Sequence, residues 1–379
     1  LRVRLAGICG SDLSTIDGRS SPWFEPVVSF PFVPGHEVVA DDPDGRRVVV
    51  EPVLGCATRG IDPPCAACRA GRLGNCEHLA HGDLSPGLQT GYCCDAGGGW
   101  ATEMVAHPTQ LHEVPADLGD ADAVMVEPAA CAVHAALRGE VSPADVVAVI
   151  GAGTLGLLTL AALARWSPPA RLVVGARHPH QARAARQLGR AGADGGVTVC
   201  EPGALLRTVR RATGSMVLGT SPLAGGLPSS AGVQQLSPAG GARLSGGADV
   251  TFDCVGSAES ITTALAVTRP RGRIVLVGMP VPQRVDLTPL WQRELDLVGA
   301  YTYGTEQLDG RRVRTFELAT ELVAAQRLGG LVSAAYPLER HRDALVHAAR
   351  AGARGAVKVA FSPARPGRAA VPAQEDPLR

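Results

Sequence analysis

The sequence predicts an α/β protein built around a doubly wound parallel sheet, and three features predict it. An apolar run, VVAVI at 146–150, leads into GAGTLG and then into LLTLAALARW, so that a strand, a glycine turn and a helix follow one another. A second strand-like segment, RLVVGA, comes next, and DVTFDCVGS and GRIVLVGMP add further strands around the helical SITTALAVT. This alternation specifies parallel strands with helices packed on the sheet. The third feature is the opening, LRVRLAG, whose alternating apolar and basic residues read as a half-buried strand far from the alternating unit.

Composition bounds what such a chain can do. Its 379 residues are enough for two or three domains, and 45% apolar residues with 46 glycines and 29 prolines fit a loop-rich globular protein. Basic and acidic residues balance at 36 each, without the basic excess of a nucleic-acid-binding protein. No apolar run reaches the roughly eighteen residues of a membrane span, and no segment resembles a signal peptide. The chain therefore reads as cytoplasmic, without a nucleic-acid or membrane partner, and its ten cysteines as reduced ligands or core residues rather than a disulfide framework.

Taken in order, the first strand stops at GICGSDL, where Cys9, Ser11 and Asp12 are presented by an expected loop. Cys9 alone would fit a buried free thiol. In FPFVPGHEVV, however, His36 and Glu37 follow Gly35 directly and precede an apolar strand, and in VMVEPAACAVHAAL, Glu127 and Pro128 precede a helical run. A thiolate, an imidazole and one or two carboxylates form a mixed donor set with room for an open position, which is what catalytic zinc requires. Asp12 is placed to accept the second imidazole N–H of His36 and so orient it.

Between these segments lies VLGCATRGIDPPCAACRAGRLGNCE. Cys56, Cys65, Cys68 and Cys76 are separated by eight, two and seven residues in a stretch almost empty of large apolar side chains. Such a lobe has no core of its own, and a second, tetrathiolate zinc would supply its folding energy. Asp62 is a substitute ligand if Cys56 is too distant.

The glycine turn, with Gly151, Gly153, Thr154, Leu155 and Gly156, is the expected seat of a dinucleotide pyrophosphate. An NAD-specific site of this type places a carboxylate about 20 residues further on. No acidic residue occurs from Leu157 to Ala193, and the second strand runs out through Ala176, Arg177 and His178, with Arg183 beyond. A guanidinium there can grip a 2′-phosphate, so NADP is expected to be preferred over NAD.

Together GICGSDL, PGHE, the four-cysteine lobe, the EP dipeptide, GAGTLG and the terminal GAVKVAF resemble the zinc-dependent medium-chain alcohol dehydrogenase superfamily, in particular its polyol, threonine and glucose dehydrogenase branches, over residues 1 to about 361. The resemblance implies a Rossmann domain at 144–297, inserted in a GroES-like β-rich catalytic domain formed by 1–143 and 298–361, with 362–379 as a disordered tail. It implies catalytic zinc on Cys9, His36 and Glu37, with Glu127 as a fourth or exchangeable ligand, and Ser11 as relay for the substrate proton. The implied reaction moves a hydride between an alcohol of polyol, sugar or amino-alcohol type and a nicotinamide cofactor. The stretch LVGAYTYG at 297–304 is expected to pair across a two-fold axis, giving a homodimer or homotetramer.

The sequence departs from the family pattern in places. Ser14 stands where many relatives carry the histidine that completes the proton relay, and ATRGID is inserted between the first two lobe cysteines. Residues 215–247, rich in glycine, serine and proline, are expected to form a mobile surface loop. Relatives have about two dozen residues before the strand that opens this chain, and their loss would leave a sheet edge unpaired. Trp23, Phe24, Trp100 and Trp291 are candidates for lining a substrate pocket. Two other readings use the same fold: a metal-free double-bond reductase, and a non-enzymatic dinucleotide-binding protein with structural zinc only.

Overall fold

The computed structural model describes residues 1–189, 196–219 and 242–363. They form two compact units, one of residues 1–134 with 302–363 and one of Ala135–Tyr301.

The first unit begins with β1 (Arg2–Gly7), whose Val3 and Leu5 are buried while Arg2 is exposed, as the alternation predicts. The chain then turns into a short helix, α1 (Gly10–Ile16), where a loop is expected from sequence. Asp12 explains the difference: its Oδ2 accepts the N–H of Cys9 at 2.9 Å and closes a capping box, so GSDL carries its own helix start. Strands β2 (Val38–Asp41) and β3 (Arg47–Val50) pair antiparallel, and their connection is fixed by Asp42, which accepts the N–H groups of Asp44 and Arg46. The one-turn helix α2 (Ala66–Arg69) lies in the cysteine lobe; β4 (Leu111–Glu113), α3 (Asp120–Ala123) and α4 (Val126–Arg138) follow, and the division between the units falls inside α4.

The second unit holds a parallel sheet. β5 (Val146–Ile150), α5 (Thr154–Trp166), β6 (Arg171–Gly175), α6 (Pro179–Leu188), β7 (Val197–Cys200) and α7 (Leu205–Thr213) come first. A small hairpin of β8 (Val217–Leu218) and β9 (Arg243–Leu244) closes what is described of the glycine-rich insertion; residues 220–241 lie outside the described residues. Then come β10 (Ala248–Asp253), α8 (Ala258–Val267), β11 (Thr268–Leu276), α9 (Thr288–Gln292) and β12 (Asp296–Gly299). The order is β12-β11-β10-β5-β6-β7, all parallel, so the chain starts at β5 in the centre and winds outward in both directions. This doubly wound order places a crevice beyond the C-terminal end of β5, where the strand order reverses. Helix α5 seals one face with Leu157, Leu158, Leu160 and Leu163, all fully buried, each stabilising the fold by about 1.5–3 kcal/mol.

The chain returns to the first unit through the hairpin β13 (Thr305–Leu308) and β14 (Arg311–Arg314), α10 (Thr315–Gln326), β15 (Val332–Tyr336), α11 (His341–Ala349) and β16 (Lys358–Phe361). Its sheet runs β15-β16-β1-β2-β3-β4, which puts the last strand beside the first. Residues beyond 363, including most of the expected tail, lie outside the described residues. No helix among the described residues is long and apolar enough to cross a membrane.

Candidate active site

Two segments separate in sequence converge in the first unit. β1 ends at Gly7 and delivers Cys9 at the N-cap of α1; the turn before β2 delivers His36 and Glu37. Donor atoms of these three residues lie within 4.8 Å of one another. Asp12, 1% exposed, stands behind them, its Oδ1 facing His36 Nδ1 at 3.3 Å, which leaves Nε2 as the ligating atom. Neither of the facing atoms has another hydrogen-bond partner. Burial opposes charge on His36, but the Asp12 carboxylate and the Cys9 sulfur outweigh it and raise the imidazole. A soft sulfur, a nitrogen and a carboxylate oxygen, held together with His36 and Glu37 buried and backed by an orienting carboxylate, suit zinc.

In the cysteine lobe, the sulfurs of Cys56, Cys65, Cys68 and Cys76 likewise lie within 4.8 Å of one another, and Asp62 is not among them. Backbone N–H groups of Cys65, Cys68, Glu77 and His78 point at these sulfurs at 3.3–3.5 Å. Burial works against ionisation, yet the Glu77 and Cys68 N–H groups hold Cys65 down at about 7, while burial pushes Cys76 up to about 11. Four sulfurs this close ionise together only around a cation, and the set fits a closed tetrathiolate zinc. The inserted ATRGID follows Cys56 directly. Its Arg59 is fully buried and donates to the carbonyls of Leu54, His81 and Leu84 at 3.0–3.1 Å and to that of Gly87, pinning the insertion under the lobe.

In the second unit, Gly151 has φ +90° and Gly156 packs so tightly on the Gly151 carbonyl that a Cβ would collide with it. Gly153 caps α5 without a side-chain bond and faces open space, so a pyrophosphate can approach the backbone there. Thr154 and Leu155 begin the helix. Ala176 is buried just past β6, and Arg177 is exposed beside it.

The Alcohol dehydrogenase GroES-like domain family matches residues 1–116, and the Zinc-binding dehydrogenase family matches 155–318. A sorbitol dehydrogenase of Arabidopsis thaliana is 31% identical over 80% of this chain and 73% of its own length. The chain belongs to the zinc-dependent medium-chain alcohol dehydrogenase family. It is thus a zinc-dependent oxidoreductase that uses a nicotinamide cofactor on an alcohol. An L-idonate 5-dehydrogenase of Vitis vinifera is 28% identical over 80% of this chain and 73% of its own. A solved structure from Sinorhizobium meliloti 1021, bound to NADP, shares the fold with a TM-score of 0.67 at 23% identity, covering 96% of this chain and 91% of that one.

Sequence reasoning misses two residues of this dehydrogenase site, Lys358 and Tyr303. Lys358, 3% exposed, holds both oxygens of Glu37, at 2.6 and 2.7 Å. Burial opposes its charge, but Glu37 and Cys9 more than restore it. The signal was present: Lys358 is the only lysine in an arginine-rich chain. Glu127, in the first turn of α4, stands outside the set of three; its Oε1 accepts a hydrogen bond from Tyr303 at 2.9 Å and lies 3.8 Å from Cys131 Sγ. Burial pushes the Glu127 carboxyl up to about 7.

A cavity of about 230 Å³ lies beside α1, walled by Ile16, Phe32 and Pro34 and bearing Asp12, Thr15 and Tyr92. The sequence candidates for a pocket wall are elsewhere: Trp23 and Trp291 are 84% and 80% exposed, and Phe24 is half-buried outside this wall. Trp100 meets Phe361 edge to face and donates to the Gly7 carbonyl at 3.1 Å, bracing the end of β1.

Proposed function

We propose that this dehydrogenase acts on a polyol or a related sugar or amino alcohol, with two zinc ions per chain and NADP preferred over NAD. The observation that carries the reading is the converging triad Cys9, His36 and Glu37 backed by Asp12. When bound, zinc supplies Lewis acidity that makes a coordinated hydroxyl acidic, and the nicotinamide accepts the hydride. Cys9, His36 through Nε2, and Glu37 would hold the catalytic ion, with Glu127 as an exchangeable fourth ligand. Cys56, Cys65, Cys68 and Cys76 would hold the other. Asp12 keeps His36 in the tautomer and orientation that ligation needs. Ser11, in the first turn of α1, takes the substrate proton. The loop Gly151, Gly153, Thr154, Leu155 and Gly156 binds the pyrophosphate, and Ala176 and Arg177 border the adenosine ribose, where Arg177 reads a 2′-phosphate.

The polyol class rests on the names of the relatives, sorbitol and L-idonate dehydrogenases. The catalytic domain at 1–143 and 298–361 and the nucleotide domain at 144–297 are supported by the split into compact units at 134/135 and 301/302. The exposed Leu297 on β12, at the rim of the parallel sheet, supports association of two such sheets into a homodimer or homotetramer. Ten free thiols, five of them in the two metal-ligand clusters and Cys93 buried, favour the reducing cytoplasm as its compartment. Initial rates with sorbitol, xylitol, idonate and simple alcohols against each cofactor test the reading. Turnover of polyols with NADP is expected, and activity confined to simple alcohols with NAD would overturn it.

A further inference from the structure

This inference rests on the dehydrogenase reading of the Cys9–His36–Glu37 site and concerns what aims Glu127, the candidate fourth ligand. Helix α4 carries Glu127 in its first turn, Cys131 one turn on and His134 two turns on, so the three share one face. Two residues of the returning chain bond that face. Tyr303 donates its hydroxyl to Glu127 Oε1 at 2.9 Å, and three residues later Glu306 Oε1 stands 2.7 Å from His134 Nδ1. The helix rises about 10 Å from Glu127 to His134, and three residues of extended chain reach about the same. Helix and returning chain therefore run side by side in matched register, and a slip of either by one residue would break one of the two ties. Thr315, fully buried at the start of α10, fixes that register. Its Oγ1 donates to the same Glu306 oxygen at 2.9 Å and accepts the Gly304 N–H at 3.0 Å, while its own N–H donates to the Gly304 carbonyl at 2.9 Å. A solvent-exposed pair would hold little. Here the Glu306 side chain is 12% exposed, and its carboxylate is held by donors from two different helices.

We propose that Glu306 is a positioning residue for the reaction: its pair with His134, braced by Thr315, fixes helix α4 against the returning chain so that Tyr303 meets Glu127 and presents that carboxylate to the Cys9–His36–Glu37 site. A single bond at Tyr303 would leave the helix free to turn or slide about that point. The second bond, two turns along the same face, removes that freedom. Glu306 acts through His134 and the backbone of α4, which is continuous from Val126 to Arg138 and carries the constraint back to its first turn. A misplacement of about 1 Å at a reacting group can cost roughly a hundredfold in rate, so a tie about 10 Å from Glu127 has leverage on turnover without meeting the substrate.

The test is a double-mutant cycle between Glu306→Ala and Glu127→Ala on the zinc-loaded full chain, read by the release of zinc to a chromophoric chelator and by kcat and KM for sorbitol with oxidised cofactor. Each single variant should lower kcat by about tenfold to a hundredfold with the KM for cofactor unchanged, and should speed loss of the first zinc by about tenfold. The double variant should be no worse than Glu127→Ala alone, because Glu306 acts through that carboxylate. Glu306→Gln, which keeps an oxygen acceptor for His134 and Thr315, should recover most of the loss. A residue that only staples the fold would add its own loss to that of Glu127→Ala, and additive losses would overturn the proposal. Should Glu306→Ala not fold, His134→Ala, which places a good helix former at a half-buried position, completes the same cycle. Parent-like zinc release and kcat in Glu306→Ala and His134→Ala, with Glu127→Ala impaired, would overturn the tie and leave the dehydrogenase reading standing. Parent behaviour of Glu127→Ala in both readouts would remove Glu127 from the site, and the inference with it. A parent that turns over no polyol counts against the polyol reading alone, and the zinc-release arm still decides the tie.

Discussion

The two metal-ligating clusters of this chain are built on opposite plans. In the cysteine lobe all four donors come from one short segment, every donor is a sulfur, and backbone N–H groups point at them while the buried Arg59 ties the surrounding loops together. At the Cys9–His36–Glu37 site the donors differ in kind and come from two separate segments, and a third, distant one supplies the Lys358 that holds Glu37. The first plan suits an ion that replaces a core, and the second suits an ion that does chemistry. Stability and turnover should therefore separate cleanly between them.

The largest effects should come from crossing the two sites. Cys9→Ser should lower turnover about a thousandfold, the scale of losing a Lewis acid, while shifting the melting temperature little. Cys68→Ser should do the reverse to the fold, costing several kcal/mol because the lobe has no apolar core to fall back on. Circular dichroism melts and initial rates on both variants measure the contrast; equal losses of stability would remove it.

A smaller effect is expected at Lys358. Lys358→Met leaves the Glu37 carboxylate buried without its partner, at about 3–5 kcal/mol. Zinc can neutralise the same carboxylate, so the metal-free variant should lose much more stability than the zinc-loaded one. Thermal melts with and without added zinc check this, and an equal loss in both states would show that Glu37 does not face the ion.

The smallest effect concerns the second unit. Arg177→Ala should raise the KM for NADP roughly tenfold to a hundredfold, the worth of one charge-assisted contact, and leave that for NAD nearly unchanged. Steady-state kinetics with both cofactors decide, and equal changes would release Arg177 from any part in phosphate recognition.

What could be read from the sequence follows the same division. The tetrathiolate lobe and the glycine loop of α5 are local: their residues stand in one continuous stretch, so spacing alone presents them. The start of α1 reads as loop in the sequence because a cysteine N-cap is an uncommon helix signal, though Asp12 three residues on supplies the capping partner. The β13–β14 hairpin had its own signal in the Asp309–Gly310 turn, where both residues have positive φ. Lys358 and Tyr303 are different. They stand 321 and 176 residues from the carboxylates they bind, and only the return of the chain to the first sheet, with β16 beside β1, brings Lys358 to Glu37. No local pattern encodes such a pair. Tyr92 was hidden for a related reason, since only the folded cavity shows its hydroxyl to be unsatisfied.

The most direct test of two sites with two purposes is graded removal of metal from the full-length protein, with zinc content, turnover and melting temperature followed together. Elemental analysis of freshly prepared protein should give two zinc ions per chain. Mild chelation should remove one quickly, abolishing turnover with little change in melting temperature, and the second should leave only slowly and together with the fold of the lobe. A single zinc per chain, or two that leave together while stability and turnover fall in parallel, would contradict it.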